Sequence, residues 1–146
     1  MDYIKAAGKP SGCIFCEREK FVLKEGKLAF AMLNLFPYNP GHMMVAPKRH
    51  VRELSDLSDE EIKEMFHLIK ICINALKKEA DPEGFNIGLN IGKVAGAGFE
   101  GHIHFHIVPR WNGDTNFMPV IGNVRVVPEG IEKTFEKLKK YFEGKE

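Results

Sequence analysis

Residues 102–108 read His-Ile-His-Phe-His-Ile-Val. With six histidines in 146 residues, a chance His-x-His-x-His has odds of roughly 1 in 100 by counting matches to a template. Side chains alternate with period two along a strand. The three imidazoles of His102, His104 and His106 therefore take one face, while Ile103, Phe105 and Ile107 take the other. Unpaired burial of the three would oppose folding, and protonated neighbours would repel. A merely solvated edge would be served as well by Lys, Thr or Glu. Two chemistries fit the row. One is a metal site using two or three of the imidazoles. The other is nucleophilic catalysis, in which one neutral imidazole attacks an electrophile and its neighbours bind the developing charge.

The rest of the chain supplies a frame for such a strand. Residues 21–25 and 28–34 form two expected strands joined at Gly26-Lys27, a hairpin signal. A third short strand, 42–46, stops at Pro47. Ser58-Asp59-Glu60-Glu61 is a capping box. Ile62, Met65, Phe66, Ile69, Cys72, Ile73 and Leu76 then recur at helical spacing, so a long helix runs to about residue 79 and ends at Asp81-Pro82. Strands follow at 85–91 and 102–108, then a Gly- and Pro-punctuated segment with a short strand at 124–127. A second amphipathic helix covers 131–142. The expected class is α+β: a mainly antiparallel sheet of about five strands, one long central helix and a C-terminal helix. Residues 1–146 make one domain, with 1–12 a loose leader.

Composition narrows the partners. Twenty-one basic residues stand against 20 acidic, for a formal net charge of +1. No global basic field exists to hold nucleic acid. No apolar run approaches a membrane span and no h-region opens the chain, so a cytoplasmic protein is expected. Three cysteines then argue for metal or a core thiol rather than a disulfide framework. Sixteen Lys, 15 Glu and no Gln suggest a source in a hot habitat.

Gly92, Gly96, Gly98 and Gly101 lie just ahead of the histidine row. Glycine-rich backbone approaches a phosphate closely and points N–H groups at it. Lys93 and Arg110 flank this loop and can add cationic contacts, against a default of solvated charges. The row itself resembles the signature of the histidine triad (HIT) family, His-φ-His-φ-His-φ-φ. The upstream run from Asn34 through His42 to Pro47 also resembles the family. The run from Pro109 to Phe117 looks like its diadenosine polyphosphate phosphorylase or hydrolase branch. Residues 13 to about 128 fit.

The resemblance implies a HIT-like fold and a nucleotidyl-transferring enzyme on dinucleoside polyphosphates. Diadenosine tetraphosphate with phosphate as acceptor is the first choice, on the wide opening segment 112–123. Hydrolysis of dinucleoside polyphosphates or nucleoside phosphoramidates is the alternative, and a nucleotide-binding signalling module is another. By the same resemblance, His104 is the nucleophile and His106 hydrogen-bonds a phosphate or bridging oxygen. His42 supports the phosphate site, Asn34 binds ribose hydroxyls, and Asn90 is a further nucleotide contact. Much of the family carries Gln just before the triad. This chain has none, and backbone N–H groups from Gly98 to Glu100 must replace it. A backbone carbonyl is expected to accept the Nδ1–H of His104 and leave Nε2 free. No cofactor is expected for catalysis, and the implied partners are adenine nucleotides and a second copy in a homodimer or higher homo-oligomer.

Cys13-x-x-Cys16 has the spacing of a zinc half-site. Relatives with this N-terminus complete the site with a histidine after the Pro-Lys segment and the first triad histidine, which here are His50 and His102. Such a zinc would be closed and structural, and remote from the chemistry. The plainer alternative is two buried thiols and a surface histidine. Ile14, Phe15 and Met32 match positions near the adenine pocket of relatives, although core packing alone accounts for all three. Trp111 either lines the substrate cleft or packs. Cys72 belongs to the core.

Overall fold

The computed structural model describes residues 12–35, 37, 39–97, 101–114 and 130–143. The first eleven residues and the strand expected at 124–127 lie outside them.

Local sequence signals set the long helix. In α1, Asp59–Ala80, the Ser58 side chain accepts from the Glu61 N–H at 3.1 Å, and the Glu61 carboxylate accepts from the Ser58 N–H at 2.8 Å. This reciprocal pair satisfies two donors that a helix start leaves free. The same carboxylate takes two 2.8 Å hydrogen bonds from the Arg49 guanidinium. At the other end Asp81 adopts a left-handed conformation, with φ 49°, and its N–H caps Leu76 and Lys77. Met65, Leu68, Ile69, Cys72 and Leu76 are buried. Phe66, expected on the same stripe, is instead half exposed and rests edge-on against Phe105.

Five strands follow: β1 Val22–Glu25, β2 Ala29–Leu33, β3 Met43–Pro47, β4 Gly84–Leu89 and β5 Phe105–Arg110. They form one antiparallel sheet in the order β1-β2-β3-β5-β4. The β1–β2 turn closes with Gly26 N–H donating to the Ala29 carbonyl. The Glu64 carboxylate of α1 accepts from the N–H groups of Leu28 and Ala29 at 2.8 and 2.9 Å. One acidic side chain thus clips the hairpin to the helix.

The histidine-bearing strand is shifted from its expected span. It begins at Phe105, not residue 102, because the preceding backbone is committed elsewhere. The Ile103 N–H donates to the Val51 carbonyl, and the His102 carbonyl accepts from a side chain. It also runs past Pro109. β3 pairs only with residues 105–107, so beyond that point β5 needs ladder bonds on its β4 side alone, and a missing N–H is tolerated. Helix α2, Ile131–Lys139, is shorter than the expected 131–142. Its last buried residue, Phe142, sits in the turn beyond it.

The sheet separates two apolar layers. On one side Ile103 and Ile107 join α1, Leu138 and Phe142 in the main core. On the other a smaller cluster holds Cys13, Phe15, Cys16, Phe30, Met32, Met44 and Ala46. The alternation expected across residues 102–108 therefore holds, with the imidazoles on the side of the smaller cluster. No helix among the described residues is long and apolar enough to cross a membrane.

Candidate active site and metal group

Three histidines of the site form a line of short contacts. The Nδ1 of His104 lies 2.8 Å from the carbonyl oxygen of His102 and donates to it. That bond fixes the tautomer and leaves Nε2 as the lone-pair nitrogen. The rings of His104 and His106 stand 4.8 Å apart, edge to face. The Nδ1 of His106 lies 2.8 Å from Nε2 of His42, and the Asn34 amide is 3.4 Å from Nδ1 of His42. His42 follows the Pro40-Gly41 turn, and Asn34 ends β2 with its N–H on the His42 carbonyl. Two adjacent strand ends thus deliver the support to His106.

Burial keeps these rings neutral. It pushes His42 down to about 3, aided by the neighbouring His106 and His104. It pushes His106 down to about 4, with His104 adding to the shift. His104 is also lowered by burial, partly offset by its bond to the His102 carbonyl. A neutral imidazole with a fixed proton is the form a nucleophile requires.

The histidines open on a cleft of about 750 Å³. His104 and His106 line it together with Asn34, Asn90, Gly96, Ile14, Phe15 and Met32. The Asn90 amide reaches the Gly96 carbonyl at 3.4 Å, across the loop expected to cradle phosphate. Gly98 and Glu100 lie outside the described residues. Arg110, a candidate cation for this loop, is committed elsewhere: it forms a bidentate pair with Asp114 and donates to Asn86. Trp111 lines a separate cavity beside Leu76 and Leu138, away from the histidines.

Cys13, Cys16, His50 and His102 converge. Their ligand atoms all lie within 4.8 Å of one another. The Nδ1 of His102 is 3.4 Å from Cys13 Sγ, 3.7 Å from Cys16 Sγ and 3.2 Å from Nδ1 of His50. Cys16 Sγ is 3.4 Å from Nδ1 of His50. Tetrahedral bonds of about 2.3 Å to sulfur and 2.0–2.1 Å to nitrogen require edges of about 3.6 Å for S–N and 3.3 Å for N–N. These four separations are close to the edges such an ion needs. The far nitrogen of His102 donates to the Pro47 carbonyl at 2.7 Å, which aims Nδ1 at the group. This convergence is what the metal reading expects. The group is not, however, remote from the cleft as the sequence suggested: the residue that offers Nδ1 here offers its carbonyl to His104.

Two residues were missed. Arg18 lines the cleft, stacks 3.8 Å above the Phe30 ring and donates to the Phe15 carbonyl and to Glu25. Its position two residues after Cys16 is no known signature. Asn39 is buried and its amide donates to the Pro109 carbonyl and to Asp114, fixing the exit of β5. Asn39-Pro40-Gly41 reads locally as a turn, and its long-range bonds leave no mark in the sequence.

A family model described as HIT domain matches residues 16–113. A protein named AP-4-A phosphorylase from Mycobacterium tuberculosis is 47% identical over 118 residues, which is 81% of this chain and 60% of the relative. The chain thus spans less than two thirds of that relative's length. Adenosine 5'-monophosphoramidase hnt1 from Schizosaccharomyces pombe is 32% identical over 131 residues, covering 86% of this chain and 95% of the relative. The crystal structure of a Zn-bound histidine triad family protein from Mycobacterium smegmatis matches with a TM-score of 0.74 at 28% identity, over 90% of this chain and 93% of that one. The matched span of residues 16–113 and the identity to a relative covered over 95% of its length show that this chain belongs to the HIT domain family.

Proposed function

We propose that the chain transfers a nucleotidyl group from a dinucleoside polyphosphate through His104, with inorganic phosphate as the acceptor. The carrying observation is the 2.8 Å bond from His104 Nδ1 to the His102 carbonyl, which presents a neutral Nε2 to the cleft. In the first step Nε2 attacks the α-phosphorus of diadenosine tetraphosphate. The bond to the bridging oxygen breaks, ATP leaves, and adenylyl-His104 forms. In the second step phosphate attacks that phosphorus, the P–N bond breaks and ADP leaves. The polyphosphate is a good leaving group, so the residues chiefly orient and neutralise charge. Asn34 donates to His42 Nδ1, His42 Nε2–H donates to His106 Nδ1, and His106 Nε2–H is left to donate to a phosphate oxygen. Asn34 and Asn90 are assigned to the nucleoside side. The backbone at Gly98 and Glu100 is assigned to the phosphates.

Phosphate is favoured as acceptor by the similarity to a protein named AP-4-A phosphorylase. The likeness to a monophosphoramidase supports a second reading, in which water is the acceptor. Product analysis decides. Diadenosine tetraphosphate is incubated with and without inorganic phosphate, beside His104→Ala. ATP and ADP only with phosphate, and an inactive variant, support the phosphorylase reading. AMP and ATP regardless of phosphate support hydrolysis. Tight nucleotide binding without turnover overturns both and leaves a binding module.

The metal group is proposed to hold one structural zinc through Cys13, Cys16, His50 and His102. The donor set and spacing support zinc, as does the zinc-bound neighbour. A homodimer is proposed through the β4 edge. Ile87 there is paired across from the buried Ile107 yet is 42% exposed, and Phe66 of α1 is half exposed on the same side of the sheet.

A further inference from the structure

We propose that Phe15 is a positioning residue, and that the metal group and the nucleotide cleft are energetically coupled through it. The inference rests on the nucleotide reading of the cleft. Cys13 and Cys16 flank Ile14 and Phe15, so the turn that supplies two metal ligands also supplies two residues of the cleft wall. Phe15 is fully buried. Its ring centroid is 4.5 Å from that of His104, 5.2 Å from that of His102 and 6.3 Å from that of Phe30. It stands between a metal ligand and the nucleophile and touches both.

The turn has its own ties. The Glu17 N–H donates to the Cys13 carbonyl at 2.9 Å, and the Cys16 N–H points at Cys13 Sγ at 3.3 Å. Arg18 holds the Phe15 carbonyl and reaches Glu25. These bonds join the turn to itself and to β1. A metal ion held by Cys13, Cys16, His50 and His102 would add the link from the turn to His50 and to His102. The His102 carbonyl in turn fixes His104. Through Cys13, Cys16, His50 and His102, a bound ion would hold the Phe15 turn and the His102 backbone that fixes His104 in a single arrangement. A nucleotide bound against the half-exposed Ile14 of that turn, which the buried Phe15 backs, favours the same arrangement. Two ligands that stabilise one state raise each other's affinity by the same factor.

The full-length chain is loaded with zinc, and release to a chromophoric chelator is timed with and without saturating AMP. AMP is expected to slow release at least roughly fivefold, the lower end of ordinary coupling. With cobalt(II) in place of zinc, AMP is expected to shift the visible absorption of the thiolate-ligated ion. A Phe15 ring that merely filled the core would leave that spectrum unmoved. In Phe15→Leu, which stays apolar and buried, cobalt still binds but the effect of AMP on release falls to about onefold. If Phe15→Leu fails to fold, the wild-type release rate alone decides. AMP binding measurably to wild type without changing release or spectrum overturns the coupling and leaves the nucleotide reading standing. So does Phe15→Leu with the wild-type response. Failure of AMP to bind overturns the nucleotide reading and the coupling together.

Discussion

The carbonyl oxygen of His102 accepts the Nδ1–H of His104 across 2.8 Å, while the ring of His102 faces Cys13, Cys16 and His50. One residue serves the metal group through its side chain and the cleft through its backbone. A strand would have sent that carbonyl to a neighbouring ladder. Delaying β5 until Phe105 is what frees it.

His104→Ala is expected to lower turnover of diadenosine tetraphosphate by more than ~10³-fold, the scale for removing a covalent nucleophile. AMP affinity should stay within about tenfold of wild type, because Ile14, Asn34 and Asn90 still line the cleft. Initial rates and calorimetric titration with AMP check both. A fully active variant would remove His104 from the reaction.

In the proposed reaction His42 acts at one remove, through His106. His42→Ala leaves His106 Nδ1 without its 2.8 Å partner. The expected loss is about 10- to 100-fold in kcat, within the cost of about 1–3 kcal/mol for leaving a buried acceptor unsatisfied. KM should change little. Steady-state kinetics separates the two, and a pure KM effect would place His42 in binding instead.

Acid should weaken the fold in a defined window. Unfolded histidine titrates near 6.5, whereas burial holds folded His42 and His106 down to about 3 and 4. Between those limits the unfolded chain binds protons that the folded chain refuses, so stability falls as pH drops from 6.5 toward 4. Each such histidine contributes a slope of about 1.4 kcal/mol per pH unit. Denaturant unfolding across pH 4–8 measures it, and His106→Asn should reduce the slope by about one histidine's share.

A side chain at Gly26 would crowd the β1–β2 hairpin. A Cβ there would overlap Glu64 Oε2 and stand 2.9 Å from the Ala29 carbonyl. Gly26→Ala must push away the carboxylate that holds the Leu28 and Ala29 N–H groups. A loss of about 1–3 kcal/mol is expected. Thermal melting checks it, and an unchanged Tm would show that Glu64 does not clip the hairpin.

Removing one thiolate should expose the structural role of the metal group. Cys13→Ser is expected to abolish stoichiometric metal and lower Tm by at least several degrees, because metal affinity is folding free energy when the site forms only in the folded chain. Metal analysis and melting are read together. Full metal content in the variant would exclude Cys13 as a ligand.

Much of this protein is legible residue by residue. The capping box at Ser58 and Glu61 starts α1 where the sequence says it should, because the two bonds span three residues and need nothing distant. Period-two alternation puts Ile103 and Ile107 in the core and sends the imidazoles to the opposite side of the sheet. The spacing of Cys13 and Cys16 marks a half-site for the same reason: two ligands in one turn are a local matter. Less legible are Phe66 and Arg110. Their chemistry suits a core stripe and a phosphate contact, yet Phe66 is half exposed and Arg110 is paired with Asp114.

The sequence by itself therefore determined most of the elements among the described residues, their polar and apolar sides, and the residue types that can do chemistry. Periodicity and capping act over a few residues, and their energies do not wait for the fold. The tertiary structure alone decided which atoms meet. Cys13 and His102 approach to 3.4 Å across 89 positions of chain, and His42 and His106 to 2.8 Å across 64. Those contacts depend on strand order, register and the point at which β5 begins, which are set by packing the whole sheet against α1. They turn two separate motifs into one connected site.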